Sequence, residues 1–447
     1  MSTIIDWLNG VMKYAGWPII IYVASIAILC TIALKFVQLR YFAKAWRSVL
    51  FPKPATEDTG SKKNGLTSMQ AFIGTLNASL GTGIIAGVAT ALCMGGPGAA
   101  FWMIVMGIIL MAVRFAEVYA SIHFSEAIKP GTRIGGPMSY LRHVPGGNAL
   151  SYIYGVLCLI MGFVVACSIQ TNSISLGVKQ AWGISPYIVA LVSLAFVAYV
   201  VLGGAQRVAK VSDYLVPLKV GLFVLATSAV LIYHYQNIIP ALKIISQGAF
   251  YPIALTGGAA GFVVQLAIQY GMMRTIFATE SGLGSASILF GGIKSKEPVN
   301  DAIMAMLSTF ISTSFCFVMA LTLVASGAWN CGLEGTAIVS KAFQSALGDT
   351  LGGTIAVFLS VSFAMGVIVA YVYITREAWL FVTKGRFATL FNLVYCLFTA
   401  AGAIMSIVLL FSIADAIMIG MLGINLFGII WLLPIVRKAL LAYMAKQ

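Results

Sequence analysis

Apolar residues in this chain arrive in runs about long enough to cross roughly 30 Å of hydrocarbon, and polar residues gather in the gaps between them. Eleven runs can be placed, at about residues 17–38, 68–93, 98–127, 151–180, 186–204, 212–234, 252–293, 300–328, 351–383, 387–411 and 413–436. The pattern predicts an all-α polytopic membrane protein with eleven transmembrane helices. The second and seventh runs are rich in glycine and read as interrupted helices. The first run, preceded by Asp6 and Lys13 and followed by a basic stretch with no small-residue cleavage site, reads as a retained helix. Residues 51–66 are polar and rich in Pro, Gly and Lys, which predicts a linker. Residues 330–350 are too polar to span, yet Ile338, Ala342 and Ala346 recur at helical spacing, which predicts a short external helix over the mouth of the protein.

With the first helix set aside, the chain divides into two similar halves. Residues 67–250 and 251–437 are 184 and 187 residues long, and each carries five runs and opens on its glycine-interrupted one. An odd number of spans per half requires opposite orientations in the membrane. Residues 1–66 then form an extra helix and a basic linker, and 438–447 a tail. Inverted repeats with helices broken at matching positions point to the binding site of a transporter.

Composition supports lipid as the solvent: 60% of residues are hydrophobic and 9% charged, against about 25% charged in a soluble domain. The net charge of +14 carries no nucleic-acid signal, because the basic residues do not cluster as a binding face requires. They alternate between loops. Lys44, Arg47, Lys62, Lys129, Arg142, Arg207, Lys294, Lys384 and Arg437 follow odd-numbered spans, while Lys13, Lys179, Lys243 and Lys341 are the basic residues of the opposite side. This asymmetry predicts a multi-pass inner (cytoplasmic) membrane protein with its N-terminus outside and its C-terminus in the cytoplasm. Seven cysteines without metal spacing and three scattered histidines argue against a metal centre or a disulfide framework. No cofactor motif is present.

Four stretches carry candidate chemistry. In the first break, Leu76 to Gly87, glycines 81 and 83 let the backbone leave helical geometry, so that Gly81, Thr82, Gly83 and Ile84 could present freed amides to a carboxylate. Gly83 and Gly87 also make a GxxxG pair suited to helix packing. The match of residues 81–86 to a dinucleotide fingerprint fails, since no strand precedes it and no acidic residue follows at the right distance. In the second break, Phe277, Thr279, Glu280, Ser281 and Gly282 surround an ionisable residue within a span, a functional candidate by default. Glu280 could equally belong to an ion pair with Arg274 or Arg114. Gln170, in the run Gln170-Thr171-Asn172-Ser173 of the fourth span, could contact a substrate or simply bond between helices. Arg114 and Glu117, three residues apart, suit a structural pair.

The run Gly81 to Ala91, followed by Gly95 to Trp102, resembles the signature of the alanine/glycine:cation symporter family. So do Gly135-Gly136-Pro137, Gln170 to Ser173, Arg207 to Pro217 and Phe277 to Ser285, the last reading FATESGLGS where the family usually has FSNEAGLGS. The resemblance covers nearly the whole chain. It implies a five-plus-five inverted repeat of the leucine-transporter type, preceded by one extra helix, that imports alanine, glycine or a similar small amino acid together with sodium or sometimes protons. It places substrate at Gly81, Thr82, Gly83, Gln170 and the Thr279 region, with Tyr371 where the family usually has Trp. A coupling sodium ion would be held near Asn77, Leu80, Gly366 and Val367. Here the chain departs from its relatives. Gly366 and Val367 replace two hydroxyl residues, and Ile84 replaces an asparagine. Sodium needs oxygen ligands, as hard cations do, so sodium coupling is expected to be weak, with Glu280 available as a protonatable group.

The competing reading is an ion or small-solute channel, which predicts pore-lining rings rather than one pair of broken helices per chain. An enzyme lacks support, because no nucleophile has a recognisable base. An ATP-driven pump lacks a GxxxxGK[ST] motif. The expected partners are a small amino acid and the bilayer, with no nucleic acid, and the sequence carries no signal of oligomeric state.

Overall fold

The computed structural model describes residues 2–51, 66–129, 132–251, 260–293, 295–333 and 335–446. The helices that position the site are α1 (Ser2–Ala33), α2 (Ser68–Ser79), α3 (Gly83–Gly95), α4 (Ala99–His123), α5 (Gly147–Trp182), α6 (Pro186–Leu202), α7 (Gly204–Tyr233), α8 (Ala260–Thr279), α9 (Ser285–Gly291), α10 (Pro298–Ala325), α11 (Thr336–Leu347), α12 (Asp349–Val382), α13 (Ala388–Gly402) and α14 (Ile407–Met444). By length and composition seven of the described helices are able to cross a membrane, or eight if α2 and α3, bent by 49°, count as one span. The apolar helices α6 and α13 are shorter than a full span. Most of the linker predicted at 51–66, and the start of the seventh run at 252–259, lie outside the described residues.

Three features depart from the all-helical expectation or add to it. A short antiparallel hairpin pairs Glu126–Lys129 with Thr132–Ile134. Two further helices, Phe42–Leu50 and Ile238–Phe250, stand where no element is predicted. Phe42–Leu50 buries only Ala45 and leaves Leu50 exposed, so a search for long apolar runs passes over it. The short helix predicted within 330–350 is present as α11, with Ile338 and Ala342 fully buried.

Large apolar side chains lie on the outer surface, while polar and charged groups are buried within an otherwise apolar core. Tyr187, Leu191 and Leu202 on α6 and Leu218 and Leu225 on α7 are exposed, whereas Asn77, Arg114, Glu117, Lys219, Glu280 and Asn425 are buried. Water would penalise that outer surface; hydrocarbon would not. Local signals set the helix ends. Thr67 starts α2 through a capping box, its hydroxyl accepting from the Gln70 amide at 3.2 Å while the Gln70 side chain accepts from the Thr67 amide at 3.0 Å. Prolines at the first turn of α6 and α10 sit where no intrahelical donor is needed. At Gly107 the helices α4 and α10 approach so closely that a Cβ would lie 2.2 Å from Thr313 Oγ1. Small residues permit this packing where no hydrophobic effect drives it.

Candidate functional site: two broken helices set side by side

The first break follows from backbone hydrogen bonds that change partner. The Gly81 amide bonds to the Ser79 carbonyl at 3.0 Å, and the Ile84 amide to the Gly81 carbonyl at 3.1 Å. In an unbroken helix they would bond Asn77 and Leu80, so those two carbonyls are released. The chain resumes as a π-helical turn, Gly83–Gly87, before regular helix returns at Val88. Such turns are often found at functional sites.

The second break lies between α8 and α9. Glu280, Gly282 and Gly284 have φ of 53°, 92° and 85°, a left-handed run that two glycines make affordable. Its carbonyls are taken by side chains from the surrounding helices. Arg114 donates to Thr279, Asn425 to Gly282 at 2.7 Å, and Tyr154 to Leu283 at 2.5 Å. Non-helical backbone at membrane depth survives only where protein or water satisfies it in this way.

The two broken helices run in opposite directions against each other. Gly74 of α2 packs on Leu289 of α9, Gly87 of α3 on Arg274 of α8, and Gly95 on Leu266 and Ala267. That register brings one break level with the other. Helix α12 touches both: Val367 Cγ2 occupies the space a Cβ on Gly81 would need, 2.6 Å away, and one turn on the Tyr371 hydroxyl donates to Glu280 at 2.8 Å.

The predicted substrate residues divide into two groups. Thr82 and Gln170 are joined directly, the threonine hydroxyl donating to the Gln170 side-chain oxygen Oε1 at 3.0 Å, so α5 is latched to the first break. Gly83 is partly exposed, and a Cβ placed on it meets nothing within 4 Å. Open space therefore lies against this backbone. Ile84 is fully buried. In the second break Ser281 bonds Thr309 at 2.8 Å, Thr279 bonds back to its own helix at Thr275, and Gly282 faces Leu422 and Leu426. These three are turned into protein, while Phe277 is half-buried. Glu280 accepts from Ser285 at 2.6 Å as well as from Tyr371.

Neither arginine weighed as a partner of Glu280 is paired with it among the described residues. Arg114 turns instead to Glu117 at 3.8 Å and to Thr279 and Thr309, and Arg274 extends over Gly87. The Arg114–Glu117 pair thus forms as its spacing suggests. It belongs to a buried network in which Asn425 donates to Glu117 at 2.6 Å and Tyr140 donates to Asn425. This network buttresses the second break.

Of the residues named for sodium, Asn77 and Leu80 offer main-chain oxygens, while Gly366 and Val367 offer no side-chain ligand. Both carbonyls are already engaged by a residue outside the predicted set. Lys219, fully buried on α7, donates to Asn77 O at 3.0 Å and to Leu80 O at 2.9 Å. A lone lysine amid the apolar run of α7 was the available signal, since an ionisable residue inside a span is a functional candidate.

The family profile for sodium:alanine symporters matches residues 1–447. The chain belongs to the sodium:alanine symporter family. It is a transporter and not an enzyme. An uncharacterised transporter of Haemophilus influenzae is 32% identical over 405 residues, covering 90% of the carrier and 88% of that protein. The sodium/alanine symporter of Methanococcus maripaludis is 30% identical over 444 residues, covering 97% and 95%. Among solved structures, the substrate-bound outward-open state of a sodium-coupled sialic acid symporter superposes with a TM-score of 0.59 at 14% identity, covering 93% of the carrier and 86% of that chain. At that identity the likeness is one of fold.

Proposed function

We propose that the carrier imports a small neutral amino acid such as alanine or glycine, coupled to a cation, by alternating access between the two faces of the cytoplasmic membrane. The observation that carries this reading is the open space against Gly83, at the level where two broken helices lie side by side. Amides at the start of α3 would bind the substrate carboxylate, since a helix N-terminus favours negative charge. Thr82, Gln170, Phe277 and the Glu280–Tyr371 pair would close the pocket. The protein would comprise eleven membrane segments, with α6 and α13 as short spans and α8 with α9 as a second broken one. The ten after α1 would form two inverted five-helix repeats, residues 67–250 and 251–437, that rock against each other around the fixed site. Residues 1–66 supply the extra helix and linker, and 438–447 the cytoplasmic tail.

The test is uptake by purified protein in liposomes. Labelled alanine or glycine should enter saturably and be accelerated by unlabelled substrate on the opposite side. A channel would show neither saturation nor counterflow.

The asymmetry of lysines and arginines between loops supports an orientation with the N-terminus outside. In a cysteine-free background, an impermeant thiol reagent should label Lys341→Cys from outside intact cells and Lys438→Cys only after the cytoplasmic face is opened. Labelling of both positions from one side would overturn the eleven-segment topology.

A further inference from the structure

The first break is held from outside its own helix, at the place where the resemblance would set a coupling sodium ion. Helix α7 is stitched to the break at two levels. Asn77 donates to the Ser212 hydroxyl at 2.9 Å. Seven residues on, two turns along the same face of α7, the Lys219 amino group donates to Asn77 O at 3.0 Å and to Leu80 O at 2.9 Å. These are the two carbonyls released when the Gly81 and Ile84 amides change partner. Two N–H donors suffice for both bonds, so the contact is the same whether the nitrogen carries two protons or three.

Room for Nζ exists because residue 366 is glycine. A Cβ there would lie 2.5 Å from Nζ and 2.3 Å from Asn77 Oδ1, so a side chain at 366 and a lysine at 219 compete for one space. On another side the Phe363 ring centre lies 5.6 Å from Nζ and offers no oxygen. Val367 presents methyls rather than a hydroxyl. A hard cation collects roughly six oxygens. Here two carbonyls are engaged by Lys219 and the Ser212 hydroxyl accepts from Asn77, which leaves the buried Asn77 side-chain oxygen as the one of these groups without a partner. Sodium would have to displace Nζ and would still find no side-chain oxygen at 366 or 367. The residues present do not fit sodium.

Resting on the reading of the carrier as an amino-acid symporter, we propose that Lys219 is a built-in substitute for the sodium ion, holding the first break so that the carrier binds substrate without taking up sodium. An ion that comes and goes leaves the two carbonyls open in its absence, and buried backbone groups without partners are costly. A tethered amine satisfies them with no ion present. The backbone from Gly81 to Ile84, which follows directly on Leu80, is thereby set for substrate in advance, and substrate affinity does not depend on sodium. The coupling cation of the symporter reading is then one other than sodium. Lys219 acts here as a positioning residue, through the backbone that it holds.

The test uses the full-length protein in detergent and needs no transport. Melting followed by size-exclusion fluorescence, binding of radioactive sodium and binding of labelled alanine would be measured as choline is replaced stepwise by sodium at constant ionic strength. In the unaltered chain the melting temperature and the alanine affinity should not move, and no displaceable sodium should bind. Lys219→Ala should melt lower at every sodium concentration, because it opens two carbonyls and supplies no ligand. Adding Gly366→Ser and Val367→Thr to Lys219→Ala should make the melting temperature rise saturably with sodium, a response that loss of a merely structural lysine would not create. A saturable rise in melting temperature with sodium, or displaceable sodium binding, in the unaltered chain would overturn the proposal. So would a folded triple variant indifferent to sodium. If the triple variant does not fold, the unaltered chain decides alone: indifference to sodium upholds the assignment of Lys219 and a saturable response overturns it. If alanine does not bind, the choice of substrate fails, while melting and sodium binding still decide the part played by Lys219.

Discussion

Replacing Gly83 by leucine is expected to abolish uptake while leaving expression and thermal stability close to those of the unaltered carrier. A Cβ at this position meets nothing within 4 Å, so the new side chain enters free space instead of pushing a neighbour. That free space is the proposed carboxylate site, and four added carbons would fill it. Alanine at 83 should have a graded effect, raising KM more than it lowers the maximal rate. Gly81 offers an informative contrast. A Cβ there would meet Val367 at 2.6 Å, so Gly81→Ala should lower the melting temperature as well as transport, and Val367→Ala should restore part of the stability. The measurements are initial uptake in liposomes and melting in detergent followed by size-exclusion fluorescence. Normal transport by Gly83→Leu would place the substrate elsewhere.

The largest loss of stability is expected from Arg114→Ala. Its guanidinium donates to the Thr279 carbonyl and lies 3.8 Å from the Glu117 carboxylate as its ion-pair partner, both groups being buried. Removing it leaves a carboxylate without its partner, which costs about 3–5 kcal/mol when one member of a buried pair is deleted. The freed carbonyl of the second break adds about 1–3 kcal/mol. Arg114→Met together with Glu117→Met should be milder than either single change, because no uncompensated charge remains. A double variant worse than both singles would show that these residues do not act as a pair.

Hydropathy made the spans legible, and glycine made the breaks legible. Seven helices long and apolar enough to cross a membrane stand where apolar runs were read, and both interruptions occur at the expected glycines. Partners across the fold were not legible in the same way. Glu280 has two arginines at plausible distances in sequence, yet its bonds go to Ser285 and Tyr371, because Arg114 is claimed by Glu117 and the Thr279 carbonyl. Which of several charges pair is decided by register between helices, and a single sequence does not state that register. Lys219 is a different case. The missing hydroxyls at Gly366 and Val367 are visible in the sequence, but the residue that fills the space beside them is not, since 219 and 366 lie more than a hundred positions apart. The π-helical turns, Gly83–Gly87 and Met161–Ile169, leave no periodic mark because each is only one or two turns long. The helix Ile238–Phe250, 13 residues long, escapes a search for long apolar runs for a similar reason.

The distance along the chain between each break and the groups that satisfy it also has a consequence for biogenesis. The carbonyls of Asn77 and Leu80 wait 142 and 139 residues for Lys219 to be synthesised. Helices α8 and α9, which pack against α3 and α2, come later still, at Ala260 to Gly291. During translation the first broken helix therefore enters the membrane with open carbonyls, each costing several kcal/mol in hydrocarbon. A ribosome halted before Lys219 leaves a nascent chain whose break is capped by nothing of its own. Water at the insertion machinery, or the machinery itself, must hold that segment until α7 emerges. Fragments ending before residue 219 should accordingly be cleared by membrane quality control faster than fragments ending just after α7, though both lack the entire second half.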